Sequence, residues 1–281
     1  MNEIYSRVRA EIDAADAILI GASNGLSISE GYNIFADDAW FQRRFADFRA
    51  KYGVRSVLQG CFFDFPEPAE KWAFLSRLIA EKSYHAQPSR MMLNLRALVG
   101  ERDHFVITSN TEDHFAPAGF ARENIFEMEG RMTRSRCGAE CGAPAWENRE
   151  EILRMAGAER DGRVPDALLP RCPRCGAPAC IDTPDDARFF QTESFRERNA
   201  ALQAFLDRNR GKRLLILEFG VGWRNQMIKA PLMRLTAAEP NARYVSFNRG
   251  ELYIPEEIAG KSIGVDGDIA DALERILSAG E

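Results

Sequence analysis

The sequence predicts an α/β protein whose main unit is a doubly wound parallel sheet, interrupted by one small inserted module. Three observations point there. Short apolar, β-branched runs alternate with amphipathic helical stretches along most of the chain. The carboxyl ends of the expected strands carry small or polar residues: Gly21, Ser109 and Asn110, Gly220 to Gly222, and Asn248. Residues 131–192 lose the regular periodicity and hold five of the six cysteines, with several prolines and glycines.

Taken in order, residues 2–16 set Ile4, Val8 and Ile12 at helical spacing and lead into an apolar strand, Ala17 to Ile20. That strand breaks at Gly21 into a stretch of small residues ending at Ser27. A strand running into a glycine-rich turn is where such a sheet receives a nucleotide phosphate, because glycine lets backbone N–H groups approach closely. The spacing is not GxGxxG, and an Asn24-Gly25 turn without ligand is the alternative. Phe41, Phe45, Phe48 and Tyr52 then recur at helical intervals up to Gly53, an aromatic stripe suited to a core. Further helices are expected over 67–84, with Trp72, Leu75, Leu78 and Ile79 on one side, and over Ser89 to Val99. His104 to Thr108 reads as a β-branched strand, and Ile125 to Met128 as a short one.

After the irregular segment, Phe195, Asn199, Leu202, Phe205 and Leu206 mark a helix. Arg213 to Phe219 is a strongly apolar strand, and Met227 to Ala238 a helix. Arg243 to Phe247 and Ser262 to Val265 are strands, and Asp268 to Leu277 closes the chain as a helix. The expected division is a Rossmann-like domain over 1–130 and 193–281, with 131–192 inserted. Ligands in such sheets bind outside the carboxyl ends of the strands.

The 281 residues carry a formal net charge of −5, so no basic balance argues for nucleic acid or an anionic membrane surface. No apolar run approaches the roughly 20 residues of a membrane helix. The opening residues, Met-Asn-Glu-Ile-Tyr-Ser-Arg, lack the basic and apolar regions of a secretion signal, so a cytoplasmic location is expected. Six cysteines in such a chain suggest metal or redox chemistry rather than a disulfide framework.

Cys137-x3-Cys141 and Cys172-Pro-Arg-Cys175-Gly are two closely spaced pairs separated by a loop. That spacing supplies four thiolates to a tetrahedral Zn²⁺ and leaves no open position, which makes the site structural. A redox pair at Cys172 and Cys175 would need a strand–helix setting that this segment lacks. Cys180 is a possible replacement ligand, and Cys61 a buried thiol.

A Rossmann-like sheet interrupted by a four-cysteine zinc module resembles the sirtuins, and the motif order agrees. Gly21-Ala22 followed by Gly25-Leu26-Ser27-Ile28-Ser29-Glu30-Gly31 is similar to the sirtuin Gly-Ala-Gly-x-Ser-x-x-x-Gly loop, with Ser23-Asn24 inserted. Phe35 falls on the phenylalanine of Asp-Phe-Arg. Thr108-Ser109-Asn110-Thr111-Glu112 resembles Thr-Gln-Asn-Ile-Asp, and Ile125 to Gly130 resembles Val-Ile-Glu-Leu-His-Gly. Gly220-Val221-Gly222 takes the place of Gly-Thr-Ser, Phe247-Asn248 that of Ile-Asn, and Asp266-Gly267-Asp268 that of the late Gly-Asp near adenine. Glu218-Phe-Gly-Val-Gly and the Tyr52-Gly53 to Trp72 stretch look most like the macrodomain-linked, class M sirtuins. Glu129 replaces the deacylase histidine, Ile34-Phe35-Ala36 replaces Asp-Phe-Arg, and Arg-Phe-Phe-Gln stands where deacylases carry Phe-Gly-Glu.

The resemblance implies an NAD-dependent protein ADP-ribosyltransferase acting on a protein substrate such as a lipoyl carrier, with no nucleic-acid or membrane partner. It implies NAD contacts from Gly21, Ala22, Gly25, Ser27, Gly31, Phe35, Ser109, Asn110, Gly220, Val221, Gly222, Asn248, Asp268 and Ile269. Asn110 and Glu129 are the candidate catalytic residues, Asn110 to grip the ribose and Glu129 as a carboxylate pointing into the crevice from the end of its strand. A protein-lysine deacylase with Glu129 as base, and a non-catalytic NAD-binding protein, are the alternatives. None of His85, His104 and His114 falls at the family's histidine position; His114, just beyond Asn110, reads as a surface or loop histidine.

Overall fold

The computed structural model of the chain describes residues 2–139, 141–184 and 187–280. Its first half contains α1 (Asn2–Asp13), β1 (Ala17–Ala22), α2 (Asn24–Ser29), α3 (Ala39–Arg44), α4 (Ala46–Tyr52) and α5 (Val57–Cys61). Then follow α6 (Pro68–Ile79), α7 (Arg90–Val99), β2 (Asp103–Thr108), β3 (Ile125–Glu127) and β4 (Arg131–Cys137). The second half contains β5 (Trp146–Glu147), α8 (Arg149–Ala158), β6 (Ala179–Asp182), α9 (Glu193–Arg208) and β7 (Leu214–Phe219). It ends with α10 (Gln226–Ala238), β8 (Arg243–Asn248), α11 (Glu256–Ala259), β9 (Ser262–Asp266) and α12 (Ile269–Ser278).

Six strands form one sheet in the order β3-β2-β1-β7-β8-β9, every neighbouring pair parallel. The expected Rossmann-like doubly wound sheet is therefore present. The central strands are apolar throughout because both faces are covered; all six residues of β1 and of β7 are buried. One face packs Ile18, Ile20, Leu215 and Leu217 against α1, α7 and α12 through Val8, Met92, Leu95 and Leu273. The other packs Ala17, Leu19, Phe105 and Ile216 against α9 and α10 through Phe205, Ile228 and Leu232. Strand order reverses between β1 and β7, which pair Ala22 with Phe219 at their carboxyl ends. That reversal opens the crevice of a doubly wound sheet.

The aromatic stripe has a different partner from the sheet. Phe41, Phe45, Phe48 and Phe74 share a core with Ile152, Met155, Val164 and Ile181 from the 131–192 segment. The stripe is also two helices, because Phe45 leaves helical geometry between α3 and α4. Gly53 ends α4 in the left-handed region at φ 71°, as its position at the end of the stripe predicts. Within 131–182, β5, β4 and β6 form a small antiparallel sheet.

Two local expectations are corrected. The Asn24-Gly25 turn is instead the first turn of α2. The strand at 125 stops at Glu127, because the Gly130 N–H donates back to the Glu127 carbonyl at 3.1 Å and closes a turn over Met128 and Glu129. Glu129 therefore does not continue the face shared by Ile125 and Glu127. Among the described residues no helix is long and apolar enough to cross a membrane.

Candidate active site at the strand ends

Most of the residues singled out from sequence sit at one edge of the sheet. Ala22, Thr108 and Phe219 end adjacent strands in register, so Ser23, Ser109 and Gly220 begin three neighbouring loops. The Ser109 N–H donates to the Ala22 carbonyl at 3.2 Å, and the Gly25 N–H to the Gly220 carbonyl at 3.1 Å. The two glycines are required by each other: a Cβ on Gly25 would lie 2.5 Å from Gly220 Cα. Gly21 has another cause, since its Cβ would lie 2.3 Å from Leu232 Cδ1 of α10. Its bareness serves helix-on-sheet packing.

Asn110 is buried at 6% exposure immediately beyond β2. Its Nδ2 donates to Ser27 Oγ at 2.8 Å and to the Ser23 carbonyl at 3.3 Å. The Ser27 hydroxyl donates in turn to Glu112. Ser27, expected to contact cofactor, thus has its hydroxyl engaged within the protein. Held from its nitrogen side, Asn110 leaves its buried Oδ1 with no hydrogen-bond partner. Glu112 carried no assignment from sequence; its place beside Asn110 in the Thr-Ser-Asn-Thr-Glu run was the available signal.

A narrow pocket opens beside Asn110, lined by Leu26, Glu30, Thr108, Glu112, His114 and Glu127 among others. His114 is a clamp in its wall rather than a free loop residue. Its Nδ1 bonds Glu30 at 2.8 Å and its Nε2 donates to the Lys82 carbonyl at 2.7 Å. Burial opposes the imidazolium, but the Glu30 hydrogen bond and the charges of Glu112 and Glu30 outweigh it and push the pKa up to about 9. Ser89, which caps α7, also donates to Glu30 at 2.6 Å. Glu30, Glu112 and His114 are close enough to suggest a cation site, yet both imidazole nitrogens are already bonded, which leaves no lone pair for a metal.

The remaining expected residues lie on several other elements. Asn248 ends β8 and donates from Nδ2 to the Val221 carbonyl at 3.1 Å, and Val221 is fully buried. Gly222 lies open beside Glu251. Gly31 turns the chain after α2 at φ 85°, and Phe35 beyond it is 53% exposed. The Asp268 carboxylate caps α12 and accepts from Ser29 at 3.1 Å, tying α12 to α2, while Ile269 is buried in the core. Glu129 is half-buried in its turn, with no bonded partner among the described residues, and burial raises its pKa above the usual carboxylate range.

Sequence inspection missed Ser23 and Asn225. The Asn225 Nδ2 donates to Ser109 Oγ at 2.9 Å and to Ser23 Oγ at 3.1 Å, joining the loops after β1, β2 and β7. Ser23 stood among the small residues after β1, and Asn225 opens the helix after Gly220 to Gly222.

The four thiols Cys137, Cys141, Cys172 and Cys175 converge, with Sγ–Sγ distances of 3.6 Å for the 137–175 and 141–172 pairs. A tetrahedral ion with Zn–S bonds of about 2.3 Å needs sulfurs about 3.8 Å apart, so the set fits a metal ion. Cys180 is outside the cluster, its thiol on the Arg136 carbonyl across β4 and β6. Cys61 is half-buried rather than fully buried, packed against the aromatic core, and desolvation there pushes its pKa up to about 12.

No family model matches the chain. Comparison with curated proteins finds 30% identity over 273 residues to a protein ADP-ribosyltransferase of Staphylococcus aureus, covering 96% of this chain and 86% of that one. A probable bifunctional ADP-ribose hydrolase/ADP-ribosyltransferase of Fusarium oxysporum f. sp. cubense is 26% identical and covers 97% of this chain, which spans 47% of that longer protein. Among solved structures, a sirtuin studied for substrate affinity superposes at TM-score 0.63 with 14% identity over 98% of each chain. A structure of a Sir2 enzyme gives 0.58 with 15% identity, covering 99% of this chain and 98% of that one. By sequence and by fold, the chain belongs to the sirtuin-like protein ADP-ribosyltransferases.

Proposed function

We propose that the chain cleaves NAD at the strand-end crevice and transfers ADP-ribose to a protein, with Asn110 holding the ribose. The observation that carries this is the buried, unpartnered Asn110 Oδ1, an acceptor that a ribose hydroxyl would satisfy. Gly25 and Gly220 let the loops after β1 and β7 meet backbone to backbone, which shapes the crevice that would receive the dinucleotide. When bound, NAD supplies a pyridinium leaving group on an activated glycosidic carbon. Ser27 and Glu112 fix the Asn110 amide so that its oxygen is ready without reorganisation. Glu129 offers a carboxylate made more basic by burial, suited to taking a proton from the acceptor.

A lipoyl-carrier protein is the acceptor we favour, because Glu218-Phe-Gly-Val-Gly and the Tyr52-Gly53 to Trp72 stretch resemble the macrodomain-linked group. The four-cysteine cluster would hold a structural Zn²⁺. Its four thiols fill a tetrahedron and lie in the small antiparallel unit. All six cysteines are free, which supports a cytoplasmic location.

Incubation with labelled NAD and a lipoyl-carrier protein tests the reading. Label on the carrier with release of nicotinamide is expected. Release of O-acyl-ADP-ribose would instead indicate deacylation, and unchanged bound NAD a non-catalytic role.

A further inference from the structure

Among the described residues only Asp113 and Asp161 are non-glycines with φ in the left-handed region, Asp113 at 69°. L side chains rarely adopt that conformation, and aspartate is one of the few that tolerate it. Asp113 lies between Glu112 and His114 in the loop after β2, and its carboxylate gathers three partners. Arg122 donates to its two oxygens at 2.5 and 2.9 Å, Thr133 Oγ1 donates to Oδ2 at 2.9 Å, and Arg131 Nη1 to the same oxygen at 3.5 Å. The Asp113 and Arg131 side chains are each 9% exposed, so each charge relies on the other for what water would supply.

Arg131 and Thr133 share the buried face of β4, a strand of the small antiparallel sheet rather than of the parallel one. The same strand also holds the loop by its backbone, the Met132 N–H donating to the Thr111 carbonyl at 2.9 Å. Thr111 and Asp113 are thus both fixed on β4. Glu112 and His114, which alternate with them, bond elsewhere: Glu112 accepts from Ser27, and His114 is bonded to Glu30. Asn110 precedes them, with its amide nitrogen on that same Ser27. The loop that orients Asn110 is therefore seated on β4, and Asp113 is the side chain that ties it there.

We propose that Asp113 is a positioning residue for ADP-ribosyl transfer: tied to Arg131 and Thr133 of β4, it keeps Glu112 on Ser27 and the Asn110 oxygen aimed at the ribose. The assignment rests on the Asn110 reading above, and it concerns a residue one position beyond the Thr-Ser-Asn-Thr-Glu run. A tilt of Asn110 disturbs the group that meets the ribose as the glycosidic bond breaks. The loss therefore falls on rate more than on NAD binding.

Nicotinamide release from NAD by the full chain, with an NMR titration of His114, tests this. Asp113→Asn tolerates the left-handed φ and keeps the shape, but drops the charge that Arg122 and Arg131 face. It is expected to lower kcat about tenfold and to leave KM for NAD within about twofold. Glu112 moves with the loop and its charge helps to raise the His114 pKa, which should fall below about 9 in the folded variant. Lost stability alone would leave that pKa where it is. Thr133→Val removes one hydrogen bond and should lower kcat about threefold, again with KM unchanged, and it carries the test if Asp113→Asn fails to fold. Asp113→Asn added to Glu112→Gln should cost little further rate, because both act through one chain of contacts. Parental kcat in either folded single variant would overturn the proposal, as would a parental His114 pKa in Asp113→Asn or additive losses at Asp113 and Glu112. Parental kcat in Asn110→Ala, or a parent chain that releases no nicotinamide, would instead overturn the reading beneath it and this assignment with it.

Discussion

Gly25 and Gly220 meet backbone to backbone across the gap between β1 and β7, with a Gly25 Cβ position only 2.5 Å from Gly220 Cα. Nothing at that contact is a flexible side chain, so an added methyl must push two loops apart. Gly25→Ala should cost about 1–3 kcal/mol, measured by urea unfolding, and should weaken NAD binding by opening the crevice.

Gly21 behaves differently, because the atom in its way is the end of the Leu232 side chain at 2.3 Å. Gly21→Ala should destabilise the chain, and Leu232→Ala in the same chain should recover part of that loss. Such non-additivity between contacting residues is read from a double-mutant cycle. Strict additivity would show that the two positions do not clash.

Lys229 and Glu218 form an ion pair 1% and 0% exposed, with Nζ–Oε1 at 2.5 Å and Ser246 also donating to Glu218. Lys229→Met leaves a buried carboxylate without its counter-charge and should cost about 3–5 kcal/mol. Replacing Glu218 by Gln as well should recover much of this, because an amide costs less to bury than an uncompensated charge. Urea unfolding of the single and double variants checks both.

The sheet was legible in the sequence because strands buried on both faces must be apolar along their whole length, as Leu214 to Phe219 is. The strand ends were legible because a crevice demands small or polar residues there. Helical spacing in Phe41, Phe45 and Phe48 shows that a face is buried, but not against what; that core is shared with Ile152 and Met155, more than a hundred residues on. Gly21 and Gly25 signalled close approach without naming the partner. The hydrogen bond joining Asn225 to Ser23 spans 202 positions, and no local pattern announces it. Alternation carried the expected strand on to Glu129, whereas the hydrogen bond from Gly130 back to Glu127 ends it.

The His114 clamp predicts a pH dependence of stability. The folded pKa, about 9, is above the unfolded value near 6.5, so the protonated clamp stabilises fully below about pH 6.5. Its contribution falls as pH rises and is lost through about pH 9, a change of roughly 3 kcal/mol at most. The facing groups are Glu30, Glu112 and the Lys82 carbonyl. The melting temperature should fall between pH 6.5 and 9 in the parent. His114→Gln should remove much of that slope. An unchanged slope in the variant would assign it to other groups.

Glu129 carries the prediction on which transfer chemistry turns. Its carboxylate is half-buried in the turn after β3, without a bonded partner among the described residues. Burial disfavours the charged form, so its pKa lies above the usual value near 4.5. A carboxylate so raised is a better base than an exposed one and remains usable near neutral pH. If it takes the acceptor proton, transfer should rise with pH as Glu129 ionises, and the apparent pKa of that limb should exceed 4.5. Glu129→Gln keeps the shape and removes the base. It should leave NAD affinity near the parent's, lower the transfer rate by about 10²–10⁴, and flatten the acid limb. Rates of labelled ADP-ribose transfer across that pH range, set beside NAD binding, measure all three. A glutamine variant that transfers as fast as the parent would exclude proton abstraction and leave Glu129 only a role in placing the ribose or the acceptor.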